Sequence, residues 1–302
     1  MHAFFLFRDG APTPLLVGTH DPGLVGLAIF VAPLSAVLAL PLARSAIGTQ
    51  GLAQRELPLA AAAVAFGGGV WAMHFIAMLA FELCTPVRYA VLPTLLSILP
   101  AVLATRAAFG LISRAQVSTA QIHLAGSLLA AGIGLMHFTG MAAMRMAPLL
   151  RYDLAWFVAT LVLAALFSTL GLWLEVRLRD GARLPRPLAL LLSGCVTGGA
   201  ICIAHFVGMA SARFLGEADP AYVPGSGGQF GMAMAVAAVV IGGVLVVAGV
   251  HTLTRYRALV RRAHDDEARM RAIVDTAVDA ILTADADGRI QSFNRGAERL
   301  FG

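Results

Sequence analysis

The sequence contains no lysine: all 22 of its basic residues are arginine. A retinal pigment is thereby excluded despite a run of hydrophobic stretches, because retinal is held as a Schiff base on a lysine amine. Charge of either sign is scarce. Only 13% of residues are charged against 59% hydrophobic, and the mean hydropathy is +0.80. A soluble domain carries about 25% charged residues, so the chain belongs in lipid. The net charge of +5 then reads as anchoring at lipid headgroups, and no nucleic-acid partner is expected. Cysteine is nearly absent as well: Cys84, Cys195 and Cys202 form no spaced framework. Cys195 and Cys202 fall in an apolar stretch and are expected as buried, reduced thiols. The first twenty residues lack the basic start and apolar run of a cleavable signal peptide.

What charge there is punctuates the chain into seven uncharged intervals: 22–43, 57–81, 89–105, 115–144, 154–174, 187–212 and 220–254. A helix crossing a bilayer core needs roughly 20 apolar residues, which most of them supply. The expected class is an all-α membrane protein with seven transmembrane helices. The third interval is short and holds Pro93 and Pro100, so a kink is expected there; Pro33, Pro41 and the Pro-Gly-Ser stretch 224–228 mark further irregularities. With the N-terminus outside, arginines 44, 55, 106, 114, 177, 179, 183, 186, 255, 257, 261 and 262 fall on the inner side. Only arginines 8, 88, 145, 151 and 213 fall on the outer side. Twelve against five favours N-out, C-in by the positive-inside bias.

One short pattern recurs three times inside these intervals. It reads Met73-His74-Phe75-Ile76-Ala77-Met78, Met136-His137-Phe138-Thr139-Gly140-Met141 and Ala204-His205-Phe206-Val207-Gly208-Met209. Each copy has a small residue three places after the histidine and a methionine four places after it. His and Met then share a helix face one turn apart. Spans two, four and six run in the same direction, with their histidines near the outer end, so three imidazole–thioether pairs can meet at one depth. The copies are 63 and 68 residues apart, the length of a two-helix unit. The architecture expected is three two-helix repeats plus one extra span. Glycines precede each copy (Gly67-Gly68-Gly69, Gly132 with Gly134, Gly198-Gly199) and are expected to let helices approach closely. A charge follows each histidine by eight places: Glu82, Arg145 and Arg213. These are expected at the outer rim, as headgroup anchors or as a gate.

Ionisable side chains inside a membrane are rare and mark functional sites by default. Imidazole with thioether suits copper, above all Cu(I). Zinc on three histidines would leave the methionines idle, and a haem with His or Met axial ligands is a second option. Cys202, three places before His205, lies near the same face and is either a packing residue or a further ligand. No acidic residue lies within the intervals to carry a proton or cation, which weighs against, without removing, an ion or metal transporter.

From His251 the chain turns polar, with Leu253, Tyr256, Leu259, Val260 and Ala263 at helical spacing, as in a linker helix that pairs with its copy in a homodimer. Beyond it, Ile281-Leu282-Thr283 and Ile290-Gln291-Ser292-Phe293 flank the turn Asp285-Ala286-Asp287-Gly288 as in a hairpin.

On its three motifs the sequence resembles the MHYT family of bacterial membrane sensor domains, over about residues 20–255. The resemblance implies seven spans, three repeats and a copper site near the outer face, with ligands at His74, Met78, His137, Met141, His205 and Met209 and further candidates at Met73 and Met136. Phe stands for the family's Tyr in all three copies, Thr survives only at 139, and Ala204 replaces the first Met. Residues 270–302 are similar to the opening of a PAS domain; in this family such domains lead to cyclic di-GMP enzymes or histidine kinases. The domains expected are an outer segment 1–20, a seven-span sensor 21–252, a linker helix 253–270 and the start of a PAS domain 271–302. The function expected is a non-enzymatic input module that binds a metal, or a diatomic gas through it, with a metal transporter and a haem redox protein as alternatives.

Overall fold

The computed structural model describes residues 4–5, 15–48, 51–181, 184–222 and 229–302. Arg8, Arg183, the stretch 224–228 and most of the N-terminal segment lie outside the described residues. Two compact units result, Met1–Ala248 and Gly249–Gly302.

In the first unit, strands β1 (Leu15–Leu16) and β2 (Thr19–His20) precede helix α1 (Pro22–Arg44). Asp21 caps α1 by accepting from Leu24 N at 2.8 Å, and Pro22 stands at the first position, where no N–H is needed. Helix α2 (Leu52–Ala80) follows, then β3 (Phe81–Glu82) and β4 (Arg88–Tyr89). The third span is broken at Ser97 into α3 (Val91–Leu96) and α4 (Ile98–Ile112). Pro93 and Pro100 each lie in the first turn of their own piece, where a missing donor costs nothing. Helix α5 (Thr119–Ala142) opens on a reciprocal capping box between Ser118 and Gln121. Strands β5 (Met144–Arg145) and β6 (Leu149–Tyr152), helices α6 (Leu154–Gly181) and α7 (Arg186–Ser211), strand β7 (Ala212–Leu215) and helix α8 (Gln229–Thr276) complete the order.

Seven of these spans are long and apolar enough to cross a membrane, with α3 and α4 counted as one. Six close into a ring: α1 packs on α2, α2 on α4, α4 on α5, α5 on α6, α6 on α7, and α7 back on α1. The even-numbered spans α2, α5 and α7 also touch one another across the middle. Three copies of a two-helix unit thus surround a pseudo-threefold axis. α2 is the most deeply buried span; the membrane part of α8, the seventh, is the least. Close approach depends on missing side chains, as anticipated. An added Cβ at Gly69, Gly132 or Gly198 would lie 2.1, 2.2 or 2.3 Å from Ser35, Ala104 or Pro33 of the neighbouring helix.

Sequence reading foresaw no strands in this unit. Each even-numbered span in fact runs into a short strand, directly in α2 and α7 and after Ala143 in α5, and small antiparallel ladders cap that end of the bundle: β2 with β3, β4 with β5, and β1–β7–β6. Glu82, Arg145 and Arg213 are members of these strands, opposite Thr19, Arg88 and Arg151.

Two further expectations are corrected. An acidic residue does enter the spans: Glu175 in α6 is 3% exposed. Its carboxylate accepts from Arg44 Nε and Nη2 at 2.5 and 2.8 Å and from the Ser193 hydroxyl at 2.9 Å, which ties α1, α6 and α7 at the end opposite the strands. The charge lies one position past an uncharged interval, and its partner is 131 residues away. Cys195 is exposed rather than buried, because it faces outward from α7; Cys202 is buried.

The second unit begins inside α8, which runs as one 48-residue helix through the segment 253–270 to Thr276. Beyond it lie the hairpin β8 (Leu282–Ala284) and β9 (Ile290–Phe293) and helix α9 (Arg295–Phe301). Asp285 Oδ1 accepts from Asp287 N and Arg289 N at 3.0 and 2.9 Å, and Gly288 takes the positive φ of 80° that the turn requires. Asn294 organises this unit and escaped sequence reading. Its side chain accepts from Ile281 N and Ala297 N and donates to Val274 O and Asp279 O, all within 3.0 Å.

Candidate metal centre

The three histidines meet. His74 Nδ1 lies 3.1 Å from His205 Nδ1 and 3.2 Å from His137 Nδ1, and ligand atoms of all three fall within 4.8 Å of one another. Every ring is 2% exposed, and the ring centroids are 5.0–5.1 Å apart in edge-to-face pairs. Each histidine stands five or six residues before the last residue of its helix, so three parallel helices ending together bring them to one level.

The small residue three places on acquires a reason here. An added Cβ on Gly140 would lie 2.3 Å from His74 Nε2, and one on Gly208 would lie 2.6 Å from His137 Nε2. Each imidazole therefore rests on bare backbone of the next helix, α2 on α5 and α5 on α7. The corresponding position in α2 is Ala77.

The cluster does not satisfy itself. A neutral imidazole nitrogen is either a donor or an acceptor, with one hydrogen or one in-plane lone pair. His74 Nδ1 faces two other Nδ1 atoms at hydrogen-bond distance and can make one good bond to them. His137 Nε2 and His205 Nε2 are buried with no partner. Each such orphan costs about 1–3 kcal/mol, an arrangement that native interiors avoid unless it serves something. Three nitrogens around one ion at about 2.0–2.1 Å would stand roughly 3.4 Å apart, close to the Nδ1 spacings here. The donor set fits a metal ion.

The methionines form a second layer. Met78, Met141 and Met209, one turn beyond the histidines, are 1%, 0% and 8% exposed and share a buried apolar cluster with Met144, Phe81, Tyr152 and Phe214. Met73 and Met136 are buried in the main core below them. Cys202 belongs to that core too and is not among the ligand atoms that close on the triad. Among the strand residues, Arg213 pairs with Asp153 at 3.6 Å, Arg145 is exposed, and Glu82 is half-buried. Tyr89 steadies the level of the methionines by donating to Met78 O at 3.0 Å, and burial pushes its phenol pKa up, keeping it a neutral donor. Neither Tyr89 nor His20 was singled out from the sequence. His20 follows β1 at the mouth of the bundle, and partial burial lowers its pKa.

A ring of apolar hairpin repeats around buried imidazoles defines a multi-pass membrane protein of repeated two-helix units. The repeats are those of the MHYT family, described as a bacterial signalling protein N-terminal repeat, which matches residues 67–125 and 131–186; a PAS fold matches 268–302. The chain carries MHYT repeats followed by the start of a PAS domain, as its motifs suggested. The third motif, at His205, lies beyond the matched segments and joins the others through the geometry above.

Among curated proteins, the chain is 36% identical over 203 residues to the bifunctional diguanylate cyclase/cyclic di-GMP phosphodiesterase MucR of Pseudomonas aeruginosa, covering 66% of this chain and 29% of that protein. It is 36% identical over 195 residues to the cyclic di-GMP phosphodiesterase NbdA of the same species, covering 64% and 24%. It is 24% identical over 289 residues to the signaling protein YkoW of Bacillus subtilis, covering 93% and 35%. The aligned region is thus about a quarter to a third of each relative's length. No solved structure matches.

Proposed function

We propose that this chain is the membrane-embedded input module of a bacterial signalling protein and that His74, His137 and His205 hold a metal ion. The observation that carries the reading is the convergence of buried Nδ1 atoms, with His74 Nδ1 at 3.1 and 3.2 Å from those of His205 and His137 and able to bond only one of them. Copper suits it best: imidazole donors lie next to a layer of thioethers at Met78, Met141 and Met209, with no carboxylate in the cluster among the described residues. When bound, such a metal supplies a coordination position at which a diatomic gas can attach. The protein's own part is to hold three imidazoles at one level and to exclude water. Haem is the weaker alternative, since three rings in mutual contact leave no gap for a porphyrin.

Because α2, α5 and α7 meet at this centre, a ligand that prefers one spacing of the imidazoles shifts the packing of the ring. The unbroken α8 is the means by which the shift leaves the membrane. The arginine balance supports a periplasmic strand-capped end and a cytoplasmic C-terminal unit. Exposed Leu253, Tyr256 and Leu259 on α8 support pairing with a second copy. The likeness to MucR and NbdA supports an output through cyclic di-GMP, carried by catalytic domains of a longer protein.

Metal analysis of the purified wild-type chain and of His137→Ala tests the centre. Loss of stoichiometric copper in the variant is expected, and equal copper in both would refute it. Metal flux into proteoliposomes would instead favour a transporter.

A further inference from the structure

A cavity of about 420 Å³ opens at the strand-capped end, where the chain leaving α2 approaches the end of α7. His20, Phe81, Phe206, Met209 and Arg213 line it, with Leu15 at its edge. His20 is exposed, its ring 5.0 Å from Phe81 and 6.2 Å from Phe206. Phe206 in turn lies edge-on to His205, with centroids 5.0 Å apart. The Phe206 ring is thus a neighbour both of an imidazole at the surface and of an imidazole of the triad. Of the three methionines that follow the histidines, Met209 alone lines this cavity, and at 8% it is the most exposed. His205 Nε2 is buried without a partner among the described residues.

The chemistry of the lining selects a ligand class. Uncharged imidazole and thioether bind soft and borderline cations, and among the described residues no carboxylate lines the cavity to favour a hard one. Arg213 would repel a cation if its charge were free, but it pairs with Asp153 at 3.6 Å and donates to Ala210 O at 2.7 Å. A neutral gas would need no such donors. We propose that His20 and Met209 form a landing site for a soft metal ion, which then passes Phe206 to reach the His74–His137–His205 triad. The two donors leave coordination positions open, so the ion can move inward by ligand exchange with no change of oxidation state. This rests on the metal reading of the triad and adds the route by which that metal arrives.

The test is the rate of loading. Cu(I), kept reduced with ascorbate and presented as its complex with a coloured chelator, is mixed with the detergent-solubilised chain, and the loss of chelator colour is followed in time. His20→Ala is expected to reach the wild-type stoichiometry several-fold more slowly. His20→Gln, which keeps a polar side chain, should be equally slow, and Phe206→Ala should load faster. Leu15→Ala, a change in the same cavity without a donor, should load at the wild-type rate. A wild-type rate in His20→Ala would overturn the route while leaving the centre standing, and a lowered final stoichiometry would make His20 a ligand of the centre instead. A wild-type chain that takes up no Cu(I) would overturn both.

Discussion

Gly140→Ala should disrupt the histidine centre with a single added methyl group. The new Cβ would lie 2.3 Å from His74 Nε2 and 2.9 Å from Cδ2, whereas real Cβ contacts essentially never fall under 3.0 Å and become ordinary from 3.4 Å. The imidazole must retreat by at least 0.7 Å (3.0 − 2.3) and by 1.1 Å (3.4 − 2.3) to relax fully. It has nowhere to retreat to, being 2% exposed and in contact with two other rings. Overpacking of this kind costs about 1–3 kcal/mol, partly offset by up to about 1 kcal/mol of helix propensity gained over glycine. Ligand distances in metal sites hold to about 0.2 Å, so a displacement several times larger should abolish stoichiometric binding. Gly199→Ala is the matched control: the same change in α7, with nothing within 4 Å of the added atom, is expected to be neutral or slightly stabilising. Thermal unfolding in detergent and copper content measured side by side give the answer. If Gly140→Ala matched Gly199→Ala in both, the imidazoles could not be packed on backbone as described.

Other expectations follow from the same structure. Glu175→Ala leaves Arg44 without its carboxylate partner; removing one partner of a buried pair costs about 3–5 kcal/mol. Because the Arg44 side chain is 24% exposed, the lower end of that range is expected, read as a drop in unfolding temperature with copper content retained. Asn294→Ala removes four hydrogen bonds from the C-terminal unit at about 0.5–1.5 kcal/mol each, and should raise amide exchange across β8 and β9 while leaving the membrane unit's metal content unchanged. Gly208→Ala repeats the main experiment at His137 with a wider separation, 2.6 Å against 2.3 Å, and should lose less stability than Gly140→Ala.

The spans were legible because a bilayer sets their length and scarce charges mark their ends. The meeting of His74, His137 and His205 was legible because three copies at one depth on parallel helices leave few other outcomes. The small residue at Gly140 and Gly208 was visible as a pattern, but its purpose was not, since the ring it admits belongs to a different helix. The strand cap was hidden: strands of two to four residues carry no usable alternation, and their partners come from distant loops. Glu175 and Arg44 were read as separate boundary charges because only folding brings them together. Asn294 sits in a turn, where Asn is common for local reasons, and nothing nearby announces its bonds to residues 13 to 20 positions back.

The seating of one helix's ring upon its neighbour's backbone is directional, head to tail rather than face to face. A head-to-tail contact closes only when its rotation completes a circle, and two of the three joints, α2 on α5 and α5 on α7, are made in this way. The sequence marks one joint as unlike its fellows: at Ala77 a methyl stands where the other two copies have hydrogen alone. That joint, between the ends of α7 and α2, is also where the His20 cavity lies. An imperfect threefold thus leaves the closed circle a seam, and the seam faces the side from which a small visitor would come.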